Sequence, residues 1–246
     1  MKRKWIRRVS WILLTPVLLF VILMILLYIP PVQNLLRREV TAYASKVTGM
    51  QIQVERIDLR FPLNLLVRGV EVIQQPDTLL SLESLNVRVQ AWPLIKGKVE
   101  VDEVTLSRVA VNSADLMEGM KIKGVLGRFF LQSHGVDLSN ELAVINQVEL
   151  SDTHMQLLMN DTTTTPKDTT ASAPINWKVA LHQLKLKNVS FSMQLPADSM
   201  RMTAHIGEAA INNAQADLKN QYYDLKKFLL SGTSASYDTG TAQPTE

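Results

Sequence analysis

The chain of 246 residues contains no cysteine. That excludes disulfides, thiolate nucleophiles and cysteine-built zinc sites, and it leaves the redox compartment undecided. Excess charge of one sign is also missing from most of the chain. The formal net charge is +3 and the pI about 9.1, but Lys2, Arg3, Lys4, Arg7 and Arg8 create that balance. The other 238 residues carry 21 Lys/Arg against 23 Asp/Glu, so no electrostatic footprint for nucleic acid is present. A catalytic set is missing as well. His134, His154, His182 and His205 lack metal-ligand spacing, and no H-E-x-x-H occurs. Gly119, Gly124 and Gly127 form no phosphate loop, and no G-x-S-x-G elbow is present. Asp102-Glu103 are adjacent, so on a strand they point to opposite faces unless a bend intervenes. The chain therefore reads as a non-enzyme with no cofactor and no metal. With 46% hydrophobic residues it is too apolar to be disordered.

What is present begins at the N-terminus. Trp11 to Ile29 is a near-continuous apolar block of 19 residues, interrupted only by Thr15, Pro16 and Tyr28. As a helix it would rise about 28 Å, close to the ~30 Å hydrocarbon core. Five cations precede it, which predicts a cytoplasmic N-terminus and a body on the other side. The only small-x-small site nearby, Ala42-Tyr43-Ala44, lies too far beyond the block for signal cleavage. Residues 1–30 are therefore expected to be a basic tail and an uncleaved single-pass anchor.

Residues 31–49 are expected to form an amphipathic helix. Val32, Leu35, Leu36, Val40, Tyr43, Ala44 and Val47 recur at spacings of three and four, between Pro31 and Gly49. It could lie on a membrane surface or cap one end of a β structure. Glu39 offsets Arg37 and Arg38 on its polar side, which favours the cap.

From Gln51 the period changes to two. Strand-like runs fall near 51–61, 64–74, 79–91, 97–112, 120–132, 142–158, 176–195, 200–212 and 221–232. One unit recurs in them: apolar, two spacers, apolar, one spacer, apolar. It reads Val54, Ile57, Leu59; Leu82, Leu85, Val87; Val101, Val104, Leu106; Ile145, Val148, Leu150; Leu181, Leu184, Leu186; and more weakly Ile206, Ala209, Ile211. The irregular distances between units argue against a solenoid. The three-residue step across the two spacers shifts the phase of alternation by one, which predicts a bulge or bend near Asp102-Glu103. With no second layer of helices, the pattern predicts an elongated, twisted antiparallel sheet over 50–232 with one apolar and one solvated face. Asn160–Pro174 is a polar, Thr-rich, low-complexity loop expected to be dispensable, and 233–246 reads as a flexible tail.

The order of anchor, amphipathic helix and short amphipathic strands resembles the AsmA-like family, and its TamB branch more closely. The stretches Thr48–Leu59, Asp77–Leu80, Leu94–Val99 and Val104–Val111 carry the resemblance, which covers residues 10 to 240. The Thr-rich insertion is similar to the form found in Bacteroidetes-type bacteria. The resemblance implies a sheet rolled into an open groove with an apolar inner face. It also implies an inner-membrane protein with a periplasmic body, acting in outer-membrane biogenesis. The implied roles are carrying phospholipid between membranes, and helping outer-membrane protein assembly and secretion with an outer-membrane barrel partner. The first fifteen apolar residues named above, from Val54 to Leu186, would line that groove. Family members are usually far longer and end in a domain that meets the outer-membrane partner; this sequence stops after Pro244-Thr245-Glu246 with nothing comparable. The competing expectation is an anchored scaffold that binds envelope proteins by strand addition.

Overall fold

The computed structural model describes residues 29–60, 63–74, 76–95, 100–113, 119–137, 141–159, 176–196 and 199–239. The anchor expected over Trp11 to Ile29 lies outside them except for Ile29, as does the Thr-rich loop Asn160–Pro174. Among the described residues no helix is long and apolar enough to cross a membrane.

Helix α1 (Pro30–Thr48) starts on two prolines, whose missing N–H groups cost nothing in a first turn. It stops at Gly49, which takes φ 71° and donates its N–H to the Ser45 carbonyl. A short helix α2 (Ala91–Ile95) follows the third strand. The rest is one open nine-stranded sheet in sequence order. Its strands are β1 (Gln51–Arg60), β2 (Asn64–Gln74), β3 (Asp77–Val89), β4 (Val101–Asn112), β5 (Met120–Asp137), β6 (Leu142–Met159), β7 (Lys178–Leu195), β8 (Met200–Asp217) and β9 (Tyr222–Thr239). The mainly β expectation therefore holds, with two corrections. Residues 233–239 are strand rather than tail, because Thr233, Ala235 and Tyr237 pair with Ile206, Ala204 and Met202. The sheet is also not antiparallel throughout, since β6 and β7 run parallel.

That parallel pair gives the intervening segment a task. Leu142 pairs with Lys178 and Leu158 with Gln194, so the chain must return along the strands before β7 begins. A parallel neighbour always needs such a crossover. Halving the connection by deleting Thr162–Thr170 limits its reach to about 30 Å at ~3.3–3.6 Å per residue. The deletion should break the β6–β7 pairing and lower the melting temperature, read by circular dichroism. An unchanged transition would mean the shorter path still reaches.

α1 lies along the outer edge of β1 and meets it with polar side chains. Gln33 Nε2 donates to the Leu59 carbonyl at 3.0 Å, and Arg37 Nη1 to the Val54 carbonyl at 3.1 Å. Ser45 Oγ accepts from the Ile52 N–H at 3.0 Å. These bonds occupy backbone groups that an exposed edge would offer to another chain. Of the apolar stripe, Leu35, Val40, Tyr43 and Val47 are exposed, while Val32 and Ala44 are half-buried. At the far edge, the turn into β9 is held by Asp217. Its carboxylate accepts from the Asn220 N–H and amide, which hold it below the usual carboxylate range.

Candidate functional site

The phase slip seen in the sequence has a structural cause. At one level every ladder omits a residue from both of its strands. The omitted residues are Glu55, Gly69, Glu83, Arg108, Gly127, Asp152, Asn188, Gly207 and Gly232, one from each strand in order. On the strands that run one way this residue has positive φ: 58° at Gly69, 46° at Arg108, 51° at Asp152 and Asn188, and 60° at Gly232. Gly, Asn and Asp are the residues that reach this region most cheaply. Arg108 is the exception, and it is ion-paired with Glu83. Each strand thus carries one extra residue at the same level, a crease running across the whole sheet. A second, shorter crease starts at an Asp102 bulge on β4, within the two residues where the bend is expected. It includes Asn146, His182, Asn213 and Lys226 on β6 to β9.

Each crease reverses the alternation, so apolar residues on both sides of it share a face. One transverse row reads Ile57, Val67, Leu85, Leu106, Phe129, Leu150, Leu186, Ala209, Leu230. The next reads Leu59, Leu65, Val87, Val104, Leu131, Val148, Leu184, Ile211, Phe228. Val54 begins a row through Val70, Leu82, Val109 and Leu126 across the first crease. Val101 pairs with Val89 while Val104 pairs with Val87, so Val101 and Val104 face the same way. Ile145 and Leu181 pair with each other beyond the second crease. All fifteen candidate residues therefore lie on one face. The sequence units missed the contributions of β2, β5 and β9, among them Val67, Phe129 and Phe228. Their signal is the same alternation, and only the register adds them to the rows.

The opposite face is polar. A row there reads Arg56, Arg68, Ser84, Ser107, Arg128, Ser151, Lys187, Glu208, Ser231. Arg88 pairs with Glu103 at 3.2 Å and Lys178 with Asp217 at 3.7 Å. Arg128 lies 5.5 Å over the ring of Phe130, an aromatic residue on this side. The second contacting pair on the first crease is Asn188 Nδ2 donating to Asp152 Oδ1 at 2.7 Å.

Although Asp58 on the polar face is buried, most of the buried residues lie on the apolar face. Leu82, Ala143, Thr153 and Ala209 on it are 9%, 6%, 5% and 8% exposed, although no second sheet or helix layer covers it among the described residues. At the β9 end the same face is open, and Phe228 and Leu230 are exposed. Among the described residues no group of three or more His, Asp or Glu is placed to hold a metal ion. No protein-family model matches the chain, and no curated protein matches it.

Proposed function

We propose that the chain is an inner-membrane-anchored envelope-biogenesis protein whose apolar sheet face shelters lipid acyl chains on their way toward the outer membrane. The observation that supports this most is the unbroken apolar face, carried through two creases on consecutive strands with no covering layer among the described residues. Residues of a flat, uncovered sheet would be well exposed. Of those flanking the first crease on the apolar face, Ile57, Leu82, Thr153 and Ala209 are buried and the others as far as β8 are half-buried, which favours strands that bend toward that face. The product is an open trough whose axis runs across the strands. Nine strands at about 4.8 Å each give it a length of roughly 40 Å. Every acyl CH₂ it covers gains about 0.8 kcal/mol over water, so a chain could slide along it without being exposed.

In this reading Trp11 to Ile29 spans the inner membrane and the sheet stands in the periplasm. The resemblance to TamB and AsmA-like proteins adds assistance to outer-membrane protein assembly through a barrel partner. A second reading is a scaffold that captures envelope proteins by strand addition. It is favoured by the outer edge of β9, which has no partner strand among the described residues. The two separate on lipid content. Full-length protein extracted in mild detergent should carry phospholipid above the level of an anchor-only control, measured by mass spectrometry. Lipid at the control level, with envelope proteins retained instead, would give the scaffold reading.

A further inference from the structure

α1 meets the sheet through one side only. Gln33, Arg37 and Ser45 hold the outer edge of β1, and with Thr41 they form a stripe at every fourth residue. Its exposed apolar side chains lie elsewhere. Leu35, Val40, Tyr43 and Val47 are 58%, 46%, 72% and 66% exposed. At about 100° per residue they centre roughly 130° around the helix from the stripe that holds β1. Single exposed apolar residues are ordinary, but four aligned along one helix side form a patch. Arg38 and Lys46 are exposed on the same helix. The helix begins at Pro30, with no linker after the apolar block Trp11 to Ile29. If that block spans a bilayer, α1 starts at the bilayer surface. Such a tether holds the patch at a high local concentration of lipid, so a modest apolar area suffices to bind.

We propose that the exposed apolar side of α1 lies in the surface of the phospholipid bilayer that Trp11 to Ile29 spans; the proposal rests on the anchor reading and adds how the sheet meets the membrane. Leu35, Val40, Tyr43 and Val47 enter the boundary between headgroups and acyl chains, a depth that suits the amphipathic ring of Tyr43. Arg38 and Lys46 reach lipid phosphates. Glu39, exposed on the same side, stays among the headgroups and keeps the helix shallow. A protein partner would have to be recruited to this side, whereas the bilayer is already present at the first residue of α1. The helix then separates the membrane from the β1 edge. β1 runs along the bilayer and the other strands stack away from it, with β9 roughly 40 Å out at about 4.8 Å per strand. The trough axis, which crosses the strands, stands on the membrane. An acyl chain leaving the bilayer beside α1 meets Val54, Ile57 and Leu59 of β1 first.

The chain has no cysteine, so single-cysteine variants of the full-length protein each take one environment-sensitive fluorophore. They are reconstituted into vesicles of phosphatidylethanolamine and phosphatidylglycerol, with and without lipid carrying a nitroxide quencher just below the headgroup. Labels at Tyr43→Cys and Val47→Cys should lose most of their emission to the quencher. Labels at Asn34→Cys, on the far side of α1 and nearer the anchor, and at Ser236→Cys on β9 should keep most of theirs. A label at Leu19→Cys reports the anchor itself. If Leu19 is quenched while Tyr43 and Val47 are not, the helix is off the bilayer, and the proposal fails while the anchor stands. If Leu19 escapes quenching as well, both fail. Equal quenching at Asn34 and Tyr43 overturns the proposal, because nearness to the anchor would explain both. Quenching at Ser236 overturns the upright sheet. Protection of Tyr43 from aqueous iodide without quenching by lipid gives this side to a second copy or another protein, and also overturns it. Tyr43→Asp with Val47→Asp changes only exposed side chains, so the fold is kept. That pair should release a label at Leu35→Cys from the quencher, and unchanged quenching there counts against the proposal.

Discussion

A photo-crosslinking residue at Val104 or Leu184 should capture lipid in intact cells, and one at Thr105 or Lys185 should not. Val104 lies between Val87 and Leu131, and Leu184 between Val148 and Ile211, in a single transverse row. Thr105 and Lys185 are the next residues along the same strands and belong to the polar face, where they pair with Phe130 and Glu149. The comparison holds strand, depth and distance from the membrane nearly constant and changes only the face. The charged variant Val104→Asp should have a larger consequence. An unpaired carboxylate in an apolar environment is strongly unfavourable, and acyl chains passing along the row would have to cross it. The expected result is loss of envelope integrity, scored by detergent and antibiotic sensitivity, with protein near its normal level. Disappearance of the protein would instead mark Val104 as core of a closed structure. Protein adducts at Thr105 and Lys185 with no lipid at Val104 or Leu184 would favour the scaffold.

Much of the fold is legible in the sequence because a half-buried strand must alternate. Every strand lies near an alternating run, and the triplets are visible because they break the alternation at fixed points. Their meaning requires register. Val54, Leu82 and Ile206 precede the first crease, whereas Val101, Ile145 and Leu181 precede the second. One sequence unit thus marks two levels of the sheet, and this is why the distances between units look irregular. The crease residues themselves are hard to read, since one row mixes the glutamates Glu55 and Glu83 with the glycines Gly127 and Gly207. The parallel pairing of β6 and β7 is invisible to periodicity, which carries no strand direction. The stripe of α1 is read as belonging to a cap on the β structure, but it does not show that the contact is polar: an open edge offers backbone donors and acceptors. Gln33, Arg37 and Ser45 answer that demand better than leucine could.

The first crease should be the most sensitive place in the sheet to added bulk, and three glycines rank that sensitivity. At Gly207 a new Cβ would stand 2.9 Å from the Gly232 carbonyl oxygen and 3.1 Å from both Gly232 Cα and the Ser231 carbonyl oxygen. All three are backbone atoms of β9, so no side chain can give way and the strands themselves must separate. Gly207→Val should therefore cost about 3 kcal/mol, the upper part of the range for overpacking. For a chain of this size that is roughly 6–12 °C in melting temperature. At Gly232 the space is open, with only Gly207 Cα 3.5 Å away, but φ is +60°. Gly232→Ala should then lose only the conformational term, about 1–2 kcal/mol. Gly124 lies off the crease. Its nearest obstacle is the Met155 sulfur at 2.6 Å, carried by a side chain flexible enough to move aside. Gly124→Ala should stay within about 1 kcal/mol of wild type, as changes clear of a structural feature usually do. Thermal unfolding of the three variants side by side gives the order. If Gly124→Ala proves as damaging as Gly207→Val, close packing is general to the sheet and the crease is not its tightest line. If Gly207→Val is neutral, β8 and β9 lie farther apart at that level than the register implies, and the crease would end before the last strand.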